Sequence, residues 1–439
     1  MRKLTVKNFS VIKEAELEFG KITVLIGPQA SGKSLLCKLA YFLSSQMIDT
    51  ALESVANKES LAEFRLKLVA KFVDWFPTDT WKEDSTSVRF ESGKFFAEVA
   101  VVSLAGGSTV ELGFSQDFED TFLELRALSD DAGGLSSDFA ANRREQIRGK
   151  FNLLITNPEH GHAFVYQSLY IPAGRTFFTN STLGFSALQN PDIDPLVREF
   201  APKIAWGDAW RPNSVVGNEA LWRLDQIRQE IIALAGGSIV GRNTNAKFRR
   251  TSDLREISLS LLSSGTQEIL PLLNVLEQMA TIQRDRILFP RPNSLPGMER
   301  HIVSSKGLIY VEEPETSVFP ATQYGLVRLF AHMSYERILD FSWVITTHSP
   351  YILSSFNNLL EAWQSGHMDE PRSIATRTVI DEKYWVNPDE FRAYSINDGY
   401  LKSIMDQETH LISDNFLDSV SERIGGEFDE LLRIGYVEA

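Results

Sequence analysis

Residues 27–34 have a composition and spacing that can bind phosphate. They fit the pattern G-x-x-x-x-G-K-S and lie between the apolar run Ile22–Ile26 and a predicted helix that begins near residue 34. Glycine lets the backbone approach phosphate oxygens, and the amides at a helix start supply partial positive charge. Lys33 would neutralise the β- and γ-phosphates of a nucleotide, and the Ser34 hydroxyl would bind Mg²⁺. The candidate nucleotide-binding residues are Gly27, Pro28, Gln29, Ala30, Ser31, Gly32, Lys33 and Ser34.

Carboxylates follow another apolar run, Ile309–Val311, much later in the chain. Ligands of open α/β sheets bind beyond the carboxyl ends of strands, so Glu312 and Glu313 would lie at such an edge. Glu312 would orient Mg²⁺, directly or through water, and Glu313 would accept a proton from an attacking water. A solvated acidic loop is the alternative interpretation.

Two further motifs extend this chemistry, although each has a simpler explanation. Ser264, Gly265 and Gln267 lie at a predicted helix start, where hydroxyls and free amides would hold a γ-phosphate. A serine that caps the helix explains the same residues. His348 follows the apolar run Trp343–Thr347 and would hydrogen-bond a γ-phosphate or a water. A structural histidine is the alternative there.

The hydrophobic pattern predicts the elements that position these motifs. Alternating or short continuous apolar runs predict strands, and apolar residues at helical spacing predict helices. The predicted strands cover residues 4–9, 15–19, 22–26, 86–114 with a hairpin at Gly106-Gly107, 164–172, a pair within 237–260, 307–311 and 343–347; the predicted helices cover residues 34–44, 48–82, 185–235 with proline interruptions, 265–279 and 320–333. We therefore expect an α/β fold.

The composition of the 439-residue chain is ordinary for a soluble folded protein, with 43% hydrophobic and 23% charged residues. Its net charge of −14 argues against a generic nucleic-acid coat protein and a binder of anionic membranes. The single cysteine, Cys37, excludes a disulfide framework and a multi-cysteine zinc site. Charges in residues 1–19 argue against a signal peptide, and no uncharged apolar run approaches ~18 residues. We therefore expect a cytoplasmic protein that does not span a membrane.

The order of the motifs resembles that of ATP-binding-cassette ATPases: phosphate loop, Ser-Gly-x-Gln helix start, acidic strand end and histidine strand end. The finer resemblance is to their soluble branch, which includes the structural-maintenance-of-chromosomes, recombination-mediator and overcoming-lysogenization-defect families. It is carried by Leu4–Phe9, by Glu312–Glu315 with the trailing Pro320, and by Thr346–Pro350. The resemblance covers motif blocks at both ends of the chain, and the middle is not matched in detail.

This resemblance implies an α/β fold of the ATP-binding-cassette type. The expected P-loop ATPase head has a mixed sheet, an N-terminal antiparallel β subdomain and helical insertions. Residues 1–45 and 255–360 would form a discontinuous ATPase core. Residues 46–254 would be a β and helical insertion within the head, and residues 361–439 a C-terminal extension that completes it.

The resemblance also implies a role for each motif residue. Lys33 and Ser34 would be Walker A ligands of phosphate and magnesium, Glu312 the Walker B acid on the metal side, Glu313 the catalytic base, His348 the γ-phosphate switch, and Ser264, Gly265 and Gln267 the signature motif. In that family the signature of one subunit completes the ATP site of another. The expected assembly is therefore a homodimer or higher homo-oligomer, held together by ATP and released by hydrolysis.

The implied function is a Mg²⁺-dependent ATPase, with ATP and Mg²⁺ as cofactors, that senses or regulates. Its partner would be a separate effector, a nuclease or toxin, in prokaryotic anti-phage defence, as in Septu- or PARIS-type ATPase subunits. One alternative is a DNA-repair ATPase that binds DNA directly through the basic cluster of Arg242, Lys247, Arg249, Arg250 and Arg255. Another is a scaffold that holds ATP without hydrolysing it.

Some positions depart from the family pattern or stay open. Thr266 replaces the second glycine of the signature, and Glu312 replaces the usual aspartate. The usual aspartate in the loop after the acidic strand is absent. The glutamine loop of the family is not identified, because Gln46, Gln116 and Gln167 are all candidates.

Two weaker features need an interpretation. The segment Tyr170–Arg175 resembles a recurring element of the defence-type ATPases. Arg175 could contact a phosphate or a neighbouring subunit, but an ordinary loop arginine is the preferred interpretation. His160 and His162 lack the carboxylate spacing of a metal site, and the acidic residues after residue 352 lack a nuclease pattern. We expect neither a metal site nor nuclease activity from them.

Overall fold

The computed structural model of the chain describes residues 2–81, 86–104, 107–130, 167–179, 193–204, 219–241, 245–288, 307–336, 339, 341–413 and 419–435. Its strands are β1 Arg2–Phe9, β2 Ile12–Phe19, β3 Ile22–Ile26, β4 Thr86–Ser92, β5 Phe95–Leu104, β6 Gly107–Phe114, β7 Gln167–Ile171, β8 Gly237–Val240, β9 Lys247–Arg250, β10 Glu256–Ser258, β11 Gly307–Glu312, β12 Phe341–Thr347, β13 Phe391–Asn397 and β14 Tyr400–Ser403. Its helices are α1 Lys33–Tyr41, α2 Met47–Ala56, α3 Leu61–Trp75, α4 Gln116–Asp130, α5 Pro195–Phe200, α6 Glu219–Ala235, α7 Ser264–Leu288, α8 Pro320–Tyr335, α9 Pro350–Gly366, α10 Glu370–Val379 and α11 Ser419–Gly435. Short 3₁₀ segments are Thr78–Thr80, Arg175–Thr179, Ala201–Lys203, Leu259–Leu261, Glu382–Tyr384 and Pro388–Glu390, and the π-helical segment Phe42–Gln46 joins α1 to α2.

Among the described residues, eleven strands form one mixed sheet in the order β6-β5-β4-β1-β2-β14-β13-β3-β12-β11-β7. The block β13-β3-β12-β11-β7 is parallel. The block β6-β5-β4-β1-β2 is antiparallel. The α/β class and the mixed sheet are therefore confirmed, and the N-terminal antiparallel strands are continuous with the parallel ones.

The sheet takes its strands from distant parts of the chain. β7 pairs with β11, although its residues lie within the range 46–254 that the resemblance assigned to an insertion. β13 and β14 come from the range 361–439; β13 pairs with β3, and β14 connects it to β2. One sheet thus contains residues from all three segments of the expected domain division.

Helices cover both faces of the parallel block, which buries its central strands completely. Every residue of β3 and β12 is buried. Successive side chains of a strand point to opposite faces, so Leu25 and Val344 belong to one hydrophobic core and Val24 and Ile345 to the other. Residues of α1–α4 fill the first core, and residues of α6–α9 fill the second. This two-sided burial explains why these strands read as continuous apolar runs.

The helix and strand boundaries of the structure differ in places from those that the hydrophobic pattern predicts. The predicted helical range 48–82 contains two helices, because α3 has its own start at a capping box. There Ser60 Oγ accepts from the Glu63 amide, and the Glu63 carboxylate accepts from the Ser60 amide. α7 extends past its predicted end at residue 279 to Leu288 and contains Pro271. The predicted strand pair within 237–260 is a three-stranded sheet, β10-β9-β8.

The structure also bears on membrane association. Within the described ranges, none of the helices combines the length and apolar composition that crossing a membrane requires.

Candidate functional site

Three motifs that are far apart in the sequence meet at one edge of the sheet. β12 pairs in parallel with both β3 and β11, so the carboxyl ends of these strands lie side by side. Thr347 pairs with Ile26, and Thr346 pairs with Glu312. The phosphate loop, His348 and Glu313 each follow directly after one of these strand ends. The predicted nucleotide ligands and the predicted catalytic residues therefore share one edge.

The phosphate loop, residues 27–34, has the geometry of an anion cradle. Lys33 is 5% exposed, and its Nζ donates to the carbonyl oxygens of Gly27 at 2.8 Å and Pro28 at 2.9 Å. Burial lowers the pKa of Lys33, and the negative charges of Glu313 and Glu315 oppose that shift. The loop thus holds a buried cation where phosphate oxygens would gather.

Several features of this loop fit a triphosphate with Mg²⁺. α1 has neither a side-chain cap nor an acidic residue in its first turn, so its first amides are free for an anion. Ser31 Oγ is buried and has no hydrogen-bond partner in the described part of the chain, and Ser34 is exposed. Gly32 has φ 107°, a conformation that favours glycine, and this lets the chain turn into α1.

Glu312 is held in place by the end of β7. Its carboxylate is buried and accepts from Tyr170 Oη at 2.7 Å and from the Ala173 amide at 3.1 Å. Burial and the neighbouring Glu312 charge raise the pKa of Tyr170, which keeps it a hydrogen-bond donor. Among the described residues, no hydrogen bond joins Glu312 to Ser34, so their joint magnesium role stays a prediction.

Glu313 and His348 form a close pair at the site. His348 Nε2 lies 3.4 Å from Glu313 Oε1, and each side chain is 36% exposed. The backbone of Glu313 has φ 40°, and its amide donates to the Thr346 carbonyl at 2.9 Å. A non-glycine residue in this region costs about 1–2 kcal/mol, and such strain is characteristic of functional sites. The structure therefore brings the predicted base and the predicted switch histidine together.

Glu315 is a site residue that the sequence reasoning did not single out. Its Oε1 accepts from Thr347 Oγ1 at 2.8 Å and from the His348 amide at 2.6 Å, while Oε2 is buried without a partner among the described residues. Glu315 thus holds the backbone of His348 while Glu313 contacts its side chain. Its spacing in Glu-Glu-Pro-Glu, two residues after the base, is the sequence signal that points to it.

The signature motif lies at the start of α7, where the adjacent serines Ser263 and Ser264 make different contacts. Ser263 Oγ accepts from the Thr266 amide at 3.4 Å and lies 2.9 Å from Thr266 Oγ1. Gln267 Nε2 donates to the carbonyls of Ser260 and Leu262. Ser264 is exposed, and no hydrogen bond of its hydroxyl occurs within the described residues. Both the helix cap and a free hydroxyl are therefore present.

The signature motif also packs against the loop that follows β11. A Cβ atom on Gly265 would lie 2.5 Å from the Ser317 carbonyl oxygen, so only glycine fits this approach. In the part of the chain that the structure describes, no hydrogen bond links Ser264, Gly265 or Gln267 to the phosphate loop of the same chain. Their predicted role on the nucleotide of another subunit is not tested by the monomer.

Arg175 is not an ordinary loop arginine, which corrects the sequence interpretation. Its side chain is fully buried, 3.3 Å from the Glu268 carboxylate of α7. Its guanidinium donates to the carbonyls of Pro172 at 3.0 Å, Glu312 at 2.7 Å and Glu313 at 3.0 Å. Burial lowers the pKa of Arg175, and the adjacent Glu268 and Glu312 counteract this. A loop sequence alone does not reveal such burial.

The basic cluster is largely paired with acidic neighbours on its own small sheet. Arg249 binds Glu256 at 2.6 Å, and Arg250 and Arg255 both bind Asp253. These pairs leave less unbalanced charge for a phosphate backbone. Arg242 of this cluster, like His160 and His162, lies outside the described residues. Within the described residues, no group of three or more His, Cys, Asp or Glu side chains forms a metal cluster.

The three glutamines considered for the family loop are dispersed. Gln46 is buried, and its Nε2 lies 3.4 Å from both Tyr41 Oη and Glu199 Oε2. Gln116 donates to Asp120 on the same helix. The side chain of Gln167 is outside the described part of the chain. The position of the glutamine loop stays open.

The parallel sheet, the phosphate loop after β3 and the carboxylates after β11 define a P-loop ATPase. Residues 22–354 match the family described as "AAA domain, putative AbiEii toxin, Type IV TA system". The chain belongs to this family, and the resemblance to P-loop ATPases is confirmed. The match begins at β3 and ends in α9, so it includes the phosphate loop, the signature motif and the acidic and histidine strand ends.

Solved structures of P-loop heads are similar to the chain along most of its length. An SMC head bound to the C-winged helix domain of ScpA shares 12% identity at a TM-score of 0.40, covering 92% of this chain and 97% of that one. The SMC head domain from Thermotoga maritima shares 13% identity at a TM-score of 0.36, covering 92% of this chain and 97% of that one. MJ0796, a bacterial ABC transporter cassette, shares 11% identity at a TM-score of 0.30, covering 91% of this chain and 96% of that one. Among curated proteins, none matches this chain.

Proposed function

We propose that this chain is a Mg²⁺-dependent ATPase that converts ATP to ADP and phosphate. The observation that supports this most directly is the Glu313–His348 pair, 3.4 Å apart, at the sheet edge that also carries the phosphate loop. The Glu313 carboxylate lies beside a histidine, and its charge acts on the pKa of the buried Lys33. It suits the activation of a water beside a γ-phosphate.

The residues divide the work of hydrolysis. Lys33 and the loop amides bind the phosphates and balance their charge. Bound Mg²⁺ supplies further positive charge, and the Ser34 hydroxyl and Glu312 would hold it, directly or through water. Glu313 takes the proton from the water whose oxygen attacks the γ-phosphorus, while ADP departs. His348 keeps the Glu313 carboxylate in position and contacts the γ-phosphate.

The assembly we propose is a homodimer or higher homo-oligomer that closes over shared nucleotides. Ser264 is exposed at the start of α7, so its hydroxyl is accessible to the ATP of a second copy. Large exposed apolar side chains lie close to the site motifs in the sequence: Leu261 is 77% exposed, Phe319 75% and Tyr351 55%. A contiguous patch of such residues is typical of an interface, and we propose that these three contribute to one. Hydrolysis would remove the γ-phosphate contacts and release the subunits.

The biological role we propose is control of a separate effector, a nuclease or toxin, in prokaryotic anti-phage defence within the cytoplasm. The family description names a putative toxin and a toxin–antitoxin system, which supports a role in a system of that kind. The separate effector is our own inference. DNA binding in a repair role has less support, because Arg249, Arg250 and Arg255 are paired with acidic neighbours. A non-hydrolysing scaffold would leave the Glu313–His348 pair without a purpose.

The decisive experiment replaces the base. We expect Glu313→Gln to keep ATP binding, to slow single-turnover hydrolysis at least ~100-fold and to accumulate an ATP-loaded oligomer. Glu111→Gln, an exposed position on the far edge strand β6, serves as the control and should hydrolyse normally. Normal hydrolysis by Glu313→Gln would refute the assignment of the base, and absence of phosphate release by the unaltered protein would favour the scaffold.

A further inference from the structure

Arg175 and Glu268 connect α7, which begins with the signature motif, to the loop of residues 313–319 after β11, which we call the catalytic loop. The Glu268 carboxylate accepts from the amides of Arg175 at 2.9 Å and Thr176 at 3.1 Å. The Arg175 guanidinium in turn donates to the Glu268 carbonyl at 2.9 Å and to the carbonyls of Glu312 and Glu313. The side chains are 0% and 3% exposed. We call this arrangement the Arg175–Glu268 clamp.

The clamp is placed between groups that serve different nucleotides. Glu268 lies one helical turn after Ser264, the residue proposed to contact the partner's ATP. The carbonyl of Glu313, the base for the subunit's own ATP, accepts directly from Arg175. A second contact joins the same two elements, because Gly265 of α7 packs against Ser317 in the loop after Glu313. A shift of the start of α7 therefore reaches the base through hydrogen bonds of 2.7–3.1 Å, of which the one to the Glu313 carbonyl is partly buried.

Joining two elements through a buried ion pair has a high cost in desolvation free energy. Its desolvation cost often equals or exceeds its attraction, and apolar residues of similar volume can stabilise a fold as well. A guanidinium has a property that an apolar contact lacks, because its planar donors reach several carbonyls at once in a fixed geometry. The clamp therefore fixes the position of α7 relative to the catalytic loop, which an apolar contact of equal stability would not do.

We propose that the Arg175–Glu268 clamp couples the two nucleotide sites of the homodimer, an inference that rests on the proposed function. When the signature of a subunit engages its partner's ATP, the clamp sets the position of Glu313 at that subunit's own ATP. Hydrolysis at one site then depends on occupancy of the other. Arg175 and Glu268 are positioning residues, since neither contacts nucleotide.

The test uses a mixed dimer of two differently tagged copies. One copy keeps Glu313 and hydrolyses ATP, and the other carries Glu313→Gln and only binds it. Ser264→Ala is placed in the hydrolysing copy, where its signature touches only the partner's ATP. We expect turnover in the hydrolysing copy to fall about fivefold or more, the size of a typical coupling between sites, with an unchanged KM.

The clamp is then removed in the same copy. With Glu268→Gln present, adding Ser264→Ala should cause no further slowing, because coupled residues act non-additively. The matched control is Glu277→Gln, which alters the ion pair between Arg228 of α6 and Glu277 of α7. That variant should retain the full Ser264→Ala effect. If Glu268→Gln lowers the unfolding temperature too far, Arg175→Lys gives the same comparison with the charge kept.

The outcomes separate the two proposals. No effect of Ser264→Ala on the hydrolysing copy, or the same effect with and without the clamp, overturns the coupling and leaves the ATPase assignment intact. Loss of the effect in the Glu277→Gln control also overturns it, because general helix packing would then carry the signal. A mixed dimer that hydrolyses no ATP although the unaltered homodimer does overturns coupling through occupancy alone and leaves the ATPase assignment intact. A Glu313→Gln homodimer with normal activity overturns the assignment of the base and this inference with it, and an unaltered homodimer that releases no phosphate overturns the proposed function.

Discussion

The adjacent serines at the start of α7 offer a direct test of how the chain divides structure from function. Both serines are exposed, but Ser263 caps the helix through Thr266, whereas the Ser264 hydroxyl makes no hydrogen bond with described residues. Removing a serine cap costs about 0.5–2 kcal/mol, and the long 3.4 Å amide contact places Ser263→Ala near the lower end of that range. Ser264→Ala removes no side-chain hydrogen bond to the described residues, so the free energy of unfolding should change by less than ~0.5 kcal/mol.

The catalytic effects should have the opposite order. A hydrogen bond to a charged group contributes about 1.5–3 kcal/mol, so losing the Ser264 contact to the partner's γ-phosphate should slow hydrolysis about 10- to 150-fold. ATP binding within the same subunit should persist, and Ser263→Ala should hydrolyse at close to the normal rate. Urea unfolding and single-turnover hydrolysis on the same preparations measure both effects. If Ser263→Ala abolished hydrolysis, or Ser264→Ala lost all ATP binding, the assignment of the signature serine would be wrong.

The remaining predictions concern the phosphate loop and the close approach of α7. Lys33→Ala should lose ATP binding, measured by calorimetry, because no other described cation fills the loop. Burial lowers the pKa of Lys33, and bound phosphates raise it again, so ATP affinity should fall with rising pH in the alkaline range and binding should take up protons. The Lys33→Arg variant should lack this pH dependence. If the variant keeps it, Lys33 is not its cause. Gly265→Ala should cost about 1–3 kcal/mol and slow hydrolysis, since its Cβ meets Ser317, whereas Gly425→Ala, with open space around it, should do neither.

The phosphate loop was predictable because its chemistry is local. A buried strand, a glycine turn and a helix start are adjacent in the sequence, and their geometry follows from the backbone alone. The acidic end of β11 and the histidine end of β12 were recognised in the same way. Their proximity to one another was an expectation, and the parallel pairing of β12 with both β3 and β11 confirmed it.

The partners that hold the site together were not predictable from local pattern. Tyr170 and Arg175 lie 142 and 137 positions from Glu312 in the sequence, yet both hydrogen-bond to it. Arg175 resembled a loop arginine, because no sequence pattern shows that a charged side chain will be covered on every side. The same holds for Glu315, whose hydrogen bonds to Thr347 and His348 require β11 and β12 to be neighbours.

Sequence alone determined the class of chemistry, because a phosphate cradle and a carboxylate pair are written in consecutive residues. The tertiary structure alone decided how these groups are oriented: which acid is anchored by Tyr170, which contacts His348, and which serine hydroxyl has no hydrogen bond among the described residues. It also decided that Arg175 joins α7 to the catalytic loop. The physical reason is that hydrogen-bond partners and burial depend on strand order and helix packing, which bring together residues that no local pattern connects.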